Sequence, residues 1–227
     1  MKDVKITKGM KIKLLGDSIT HGVGGTGFCQ NGEPIAQGFA RNPEGYCWAK
    51  TFKEYVEKEY GAELQNNACT GTKIEFIIEN FDTLVSEDDD LVICTIGTNN
   101  RHHLKETGYA RTREDMGEEF YNNVLKLNEM FNSRGKKVIF IANIPASEEN
   151  ERDRVEFWRV LHMDDINEIY KRAAKAKGFD FISMYDLMTE YTSSRGIKID
   201  DLLCDGLHPS DKGYDVMFEL IKAALGV

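Results

Sequence analysis

The sequence contains no apolar run long enough to span a bilayer. Charged residues recur through its first ten positions, so these lack the uninterrupted apolar core of a signal peptide. The five cysteines form neither a C-x-x-C pair nor a disulfide framework. We therefore expect a cytoplasmic protein with no membrane contact, whose cysteines are mostly small buried hydrophobic residues in a reducing compartment.

Positive charge is also scarce, because 29 Lys and Arg residues face 38 Asp and Glu residues, for a net charge of -9. The basic residues are scattered among acids, which disfavours a nucleic-acid partner. The acidic run at residues 87–90 is predicted to be a solvated loop rather than a cation site. The pair His102 and His103 lacks a third ligand at metal-binding spacing. The sequence thus predicts neither a metal nor a cofactor, and nothing in it predicts an oligomeric state.

Hydrophobic residues make up 41% of the chain and charged residues 30%, which suits a folded domain with a sizeable core. Short apolar segments alternate with longer segments of helical period, as is typical of a parallel sheet with crossover helices. Five segments are predicted as strands: residues 11–15, 63–66, 91–95, 137–142 and 179–183. We expect one α/β domain over residues 1–227, built as a three-layer α/β/α sandwich, with its site at the carboxyl ends of the strands.

Two helices are predicted in some detail from their apolar spacing. Residues 112–134 repeat apolar side chains every three or four positions, with Thr112 as the N-cap and Gly135 ending the helix. The last helix follows Pro209 and Ser210 and repeats the same spacing. Both apolar stripes are interpreted as packing surfaces.

A serine and a histidine follow predicted elements at positions where they could meet. Ser18 comes directly after the first strand, and Asp205-x-x-His208 precedes the last helix. An aspartate three residues before a histidine can hold one ring nitrogen and leave the other facing a hydroxyl. A turn serine and a histidine satisfied by the backbone are the alternatives for either residue alone. Together they predict a Ser-His-Asp triad.

Gly71 and Asn99 follow the second and third predicted strands. A glycine lets its amide N–H approach a reacting centre, and an asparagine amide offers a fixed neutral donor. Either residue could instead serve a turn. With the amide of Ser18, they are candidates for an oxyanion hole.

The ordered set Gly16-Asp17-Ser18, Gly71, Gly97-Thr98-Asn99-Asn100 and Asp205-x-x-His208 resembles the four signature blocks of the SGNH, or GDSL-like, hydrolase family. The resemblance implies a flavodoxin-like fold, Ser18 as nucleophile, His208 as base and Asp205 as its orienting carboxylate. It also implies oxyanion donors from Ser18, Gly71 and Asn99. The second block departs from the family pattern, because the further glycine that commonly precedes the oxyanion glycine is missing from residues 67–71.

Two other patterns point to different chemistry. The stretch from Gly22 to Gly27 matches G-x-G-x-x-G, but no helix opens there and no acidic residue follows the second strand, so a dinucleotide site is disfavoured. Cys204 beside Asp205 could act as a thiol nucleophile, but the serine explains more residues. The segment from Thr20 to Tyr46 is interpreted as a long loop that walls the pocket.

The loops predict the substrate only through their composition. Residues 20–48 and 144–165 combine polar residues with aromatics, including Phe28, Phe39 and Arg41, which favours a small acyl group, above all acetyl, on a carbohydrate. The predicted substrate contacts are Asp17, Trp48, His102 and Trp158. A lysophospholipase, thioesterase or arylesterase, an O-acyltransferase with the same triad, and a catalytically silent sugar-binding protein remain alternatives.

Overall fold

The computed structural model describes residues 4–27 and 45–227. Five strands form one parallel sheet in the order β2-β1-β3-β5-β7. The seven strands found in these residues are β1 (Lys11–Gly16), β2 (Glu63–Asn66), β3 (Leu91–Thr95), β4 (His102–Leu104), β5 (Lys137–Ala142), β6 (Phe157–Arg159) and β7 (Asp180–Ser183). The sheet order is that of a flavodoxin-like fold. The five predicted strands are confirmed, and the last begins one residue later than predicted.

Helices cover both faces of this sheet. They are α1 (Ser18–His21), α2 (Trp48–Tyr60), α3 (Ile74–Glu79), α4 (Phe81–Leu84), α5 (Arg113–Ser133), α6 (Met163–Lys177), α7 (Met184–Arg195) and α8 (Asp211–Leu225). Short 3-10 helices lie at Thr98–Arg101, Lys105–Thr107 and Ile199–Leu202. One apolar core lies under α2, α7 and α8, and a second lies under α3 to α6. The three-layer α/β/α sandwich is therefore confirmed.

The strands are apolar on both faces, as a doubly covered parallel sheet requires. In β1, Leu14 joins the first core and Leu15 the second. In β3, Ile93 lies in the first core and Val92 lies in the second. Lys13 of β1 is the buried exception and pairs with Asp89. The candidate site residues lie at the carboxyl ends of the strands.

The two helices predicted in detail are confirmed. Thr112 caps α5 by accepting a hydrogen bond from the amide of Asp115, and Gly135 follows the helix with φ of 64°. Ser210 caps α8 by accepting from the amide of Gly213. These caps satisfy amide groups that have no partner inside the helix.

The prediction of a loop over residues 144–165 is wrong in part. His102–Leu104 and Phe157–Arg159 form a two-stranded antiparallel ribbon, β4 with β6, and α6 begins at Met163. Each strand has three residues, and more than 50 residues separate them, so neither a turn signal nor an alternation marks them.

The predictions on Phe28, Phe39 and Arg41, and most of the proposed pocket wall, lie outside the described residues. Within residues 4–27 and 45–227, no helix combines the length and apolar character needed to cross a bilayer. The G-x-G-x-x-G stretch packs against the loop before α8, since a side chain at Gly24 would meet the Pro209 carbonyl and the side chain of Cys204.

Candidate active site

Ser18, His208 and Asp205 form a continuous hydrogen-bonded chain. The Ser18 hydroxyl lies 2.9 Å from His208 Nε2, and His208 Nδ1 lies 2.7 Å from Asp205 Oδ2. Because Nδ1 faces a carboxylate, Nδ1 carries the ring proton, and Nε2 is left to accept a hydrogen bond from the serine hydroxyl. The other oxygen of Asp205 accepts the amides of Leu207 and His208, which fixes the turn that carries the histidine.

The charge on Asp205 is stabilised by its partners. Partial burial would raise the pKa of this carboxyl, but the hydrogen bonds and charge of His208, with the amide of Leu207, lower it below its ordinary value. Asp205 is therefore an anion at neutral pH and can stabilise a positive charge on the imidazole.

Ser18 is placed by the sharp exit of the chain from β1. A side chain at Gly16 would come within 2.3 Å of Thr95 Oγ1 and 2.8 Å of Thr20 Oγ1, so only glycine fits there. Ser18 then opens α1 and is buried, with its hydroxyl in contact with His208.

Asp17 is a structural residue, and its predicted substrate contact is wrong. It is fully buried, and both of its carboxylate oxygens have partners inside the protein. One oxygen caps α1 by accepting from the amide of Ile19, and the other accepts from Asn143 Nδ2 at 3.0 Å. Burial raises the pKa of this carboxyl, although hydrogen bonds from Thr98 and Ile19 and nearby positive charges act in the opposite direction. Asn143 also donates to Thr98 Oγ1 at 2.7 Å, which links the serine turn to the turn after β3.

Gly71 lies in an exposed turn after β2, with φ of 80°. No atom lies within 4 Å of the position that an added Cβ would occupy. The positive φ is therefore the reason that glycine is favoured there, and steric crowding is not. The turn is anchored close to the serine, because the amide of Cys69 donates to the Gly16 carbonyl at 3.1 Å. His21 also contacts this turn, with its Nδ1 3.0 Å from Thr70 Oγ1.

Asn99 and Asn100 lie on the 3-10 helix after β3 and differ in what their amides contact. Asn99 Nδ2 donates one hydrogen bond to the Thr72 carbonyl at 3.0 Å, and its second N–H stays available for a ligand. Asn100 accepts from the amide of Ile74 and donates to both oxygens of Glu75, so it braces α3.

A cavity of about 790 Å³ begins at the turn that holds Gly71. Its apolar lining consists of Phe76, Met116 and Phe120. Its charged and imidazole lining consists of Lys73, Glu75, His102, His103, Arg111 and Glu119. The cavity therefore offers both apolar surface and hydrogen-bonding groups next to the candidate oxyanion hole.

The four predicted substrate contacts thus have different surroundings. His102 lines the cavity. Trp48 does not contact substrate, because it is fully buried in the core between α2 and the sheet. Trp158 stacks on His103 across the β4–β6 ribbon, with ring centroids 6.1 Å apart, and its contact with substrate stays a prediction.

Comparison with known proteins identifies the family. A model of the GDSL-like lipase/acylhydrolase family matches residues 14–216. The chain belongs to this family. By class it is a hydrolase of carboxylic esters. The comparison with curated proteins gives no significant match.

Solved structures share the fold of this GDSL-like hydrolase at low identity. An acetylxylan esterase from Geobacillus stearothermophilus is 19% identical, with a TM-score of 0.71 over 99% of this chain and 97% of that chain. An α/β hydrolase from the metagenome of Lake Arreo, Spain, is also 19% identical, with a TM-score of 0.70 over 97% and 96%. Catalytic mutants of the Geobacillus esterase replace one serine, one aspartate and one histidine.

Sequence reasoning missed a buried ion pair behind the site of this GDSL-like hydrolase. Arg101 is fully buried and donates to Glu151 at 2.6 Å, to Asn150 and to the Thr98 carbonyl. The segment that carries Glu151 is joined to the triad loop, because the amide of Ser147 donates to the Gly206 carbonyl at 2.8 Å. Arg101 and Glu151 look like surface charges in sequence, and no spacing signal relates them.

Proposed function

We propose that this GDSL-like hydrolase removes a small acyl group, above all acetyl, from a carbohydrate ester, with Ser18 as nucleophile. The observation that carries the proposal is the hydrogen-bonded chain from the Ser18 hydroxyl through His208 to Asp205, at 2.9 and 2.7 Å. A neutral imidazole in that position is a base for the serine hydroxyl, and the carboxylate behind it stabilises the imidazolium.

The proposed reaction proceeds through an acyl-enzyme. His208 Nε2 takes the proton of Ser18 as Oγ attacks the ester carbonyl, and it then returns that proton to the leaving alcohol. Water attacks the acyl-serine in the second half, with the same histidine as base. The amides of Ser18 and Gly71 and the free N–H of Asn99 Nδ2 stabilise the negative oxygen in both halves.

The choice of a carbohydrate ester has two supports. The Geobacillus neighbour that covers 99% of this chain is an acetylxylan esterase, and its mutated aspartate and histidine are three positions apart, like Asp205 and His208. The cavity beside Gly71 also combines apolar side chains with donors and acceptors, as a sugar ring with its apolar face and hydroxyls requires.

A longer acyl chain is the second candidate, and the cavity provides its specific support. Phe76, Met116 and Phe120 give the cavity an apolar part, and about 790 Å³ exceeds the volume of an acetyl group. A lysophospholipase or thioesterase would place its acyl chain against these side chains.

A comparison of ester hydrolysis rates separates these candidates. The substrates are p-nitrophenyl acetate, butyrate and octanoate, with acetylated xylo-oligosaccharides in parallel, and the proteins are the wild type and Ser18→Ala. We expect serine-dependent activity that falls as the acyl chain lengthens, together with release of acetate from the saccharide. Highest activity on the octanoate ester would favour the second candidate. Full activity of Ser18→Ala would contradict both.

A further inference from the structure

The cavity beside Gly71 contains one cationic side chain without a partner. Lys73 lines the cavity, and no described residue supplies a hydrogen bond or an ion pair to its ammonium group. An ammonium group that faces a substrate cavity without a carboxylate partner is available to a ligand anion. This is notable in a chain with a net charge of -9.

The backbone around Lys73 is held by Asn99 of the candidate oxyanion hole and by its neighbour Asn100. The carbonyl before it, that of Thr72, accepts from Asn99 Nδ2 at 3.0 Å. The amide after it, that of Ile74, donates to Asn100 Oδ1 at 3.1 Å. The backbone of Lys73 is therefore anchored two residues after Gly71, next to the place where the ester carbonyl is proposed to bind.

The other charged groups of the cavity already have partners. Arg111 pairs with Glu119. Both oxygens of Glu75 accept hydrogen bonds from Asn100, and one also accepts from Asn123. These contacts leave Lys73 as the unpaired charge among the described lining residues.

His102 offers a second group to the same ligand. It lines the cavity, its ring packs on Phe157 with centroids 4.8 Å apart, and no hydrogen bond to its ring is found within the described residues. Burial lowers the pKa of His102 to about 4, and the positive charges of Lys73, Arg159 and Arg101 add to this effect. The ring is therefore neutral at pH 7, carries one N–H donor, and lies within the field of the lysine.

We propose that the cavity binds a carboxylate carried by the substrate, with Lys73 as its ionic partner and His102 as a hydrogen-bond donor. This inference rests on the proposed function and narrows the carbohydrate to one with an acidic unit, such as a uronic acid. One cation and one neutral donor, with the Glu75 carboxylate also in the lining, match a single negative charge better than a phosphate dianion.

The test compares two acetylated xylo-oligosaccharides that differ by one glucuronic acid branch. We expect the ratio of kcat/KM for the acidic over the neutral substrate to fall about tenfold in Lys73→Gln, the effect of one charge-assisted hydrogen bond. Lys73→Arg should retain most of the ratio, and higher ionic strength should reduce it in the wild type. Lys126→Gln, on an exposed face of α5, is the matched control and should keep the wild-type ratio.

A binding measurement keeps this inference separable from the proposed function. Calorimetric titration of the wild type with glucuronate and with neutral glucuronamide should show tighter binding of the acid, and this preference should be lost in Lys73→Gln. Hydrolysis of both substrates with the same ratio in wild type and Lys73→Gln would overturn the carboxylate site and leave the esterase proposal intact. A Lys73-dependent preference for glucuronate without ester hydrolysis would overturn the esterase proposal alone.

Discussion

Replacing Gly71 with alanine tests the candidate oxyanion hole with little change to packing. The residue has φ of 80°, and nothing lies within 4 Å of an added Cβ. The methyl group therefore causes no clash, and its whole effect acts through the backbone. An L-residue in this conformation costs about 1–2 kcal/mol, and part of that strain is relieved by rotation of the turn that carries the Gly71 amide.

A matched control is available at the end of α6. Gly178 has φ of 74°, also has no atom within 4 Å of an added Cβ, and lies outside the candidate site. Gly71→Ala and Gly178→Ala should therefore lose similar stability, about 1–2 kcal/mol each. Only Gly71→Ala should lose turnover, by on the order of 10² to 10³, the effect of one misplaced oxyanion donor.

The assay combines urea unfolding with kcat for p-nitrophenyl acetate in both variants. Equal destabilisation with a selective loss of kcat in Gly71→Ala would support the assignment of the amide. Wild-type kcat in Gly71→Ala, at the same loss of stability as the control, would refute the reasoning, because the turn would then be strained without any effect on the reaction.

Three further predictions concern groups around the site. Asp205→Asn should lower kcat by on the order of 10³ to 10⁴ at near-wild-type melting temperature, because an amide no longer fixes the Nδ1 proton of His208; unchanged kcat would exclude that role. Glu151→Gln should lower the free energy of unfolding in urea by about 3–5 kcal/mol, because Arg101 keeps a buried unpaired charge; a loss below about 1 kcal/mol would contradict this. Burial lowers the pKa of His21 to about 4, so only the unfolded chain gains this proton as pH falls below about 6.5. Stability should fall between pH 6.5 and 4, by at most about 3 kcal/mol from this group, and His21→Gln should flatten the fall; equal slopes in wild type and variant would refute it.

The sheet was predictable because its strands are apolar on both faces and are separated by helical segments. Each of these segments is four to six residues long and ends at, or directly before, a polar or glycine residue, so its limits are recognisable in the sequence. The β4–β6 ribbon was not predictable, since its register pairs His103 with Trp158 across the intervening α5 and β5. Pairing at such separation depends on tertiary packing, which no local pattern records.

Candidate site residues were predictable where chemistry restricts the residue type. Ser18, Asp205 and His208 were predicted from order and spacing, and the structure brings their side chains into contact. Burial was harder to predict, because an aromatic or acidic residue beside a motif has the same appearance whether it faces substrate or core. Trp48 and Asp17 lie next to predicted loops, and both are fully buried. Their burial could not be recognised from the sequence.

The measurement that tests the central claim most directly is covalent labelling by a fluorophosphonate, followed by intact mass and peptide mapping. The account predicts one adduct per chain, located on Ser18, with loss of esterase activity in proportion to labelling. It also predicts slow labelling in His208→Ala, because the base that activates the serine is then missing. Ester hydrolysis that persists in fully labelled protein, or an adduct on another residue that abolishes activity, would contradict the account.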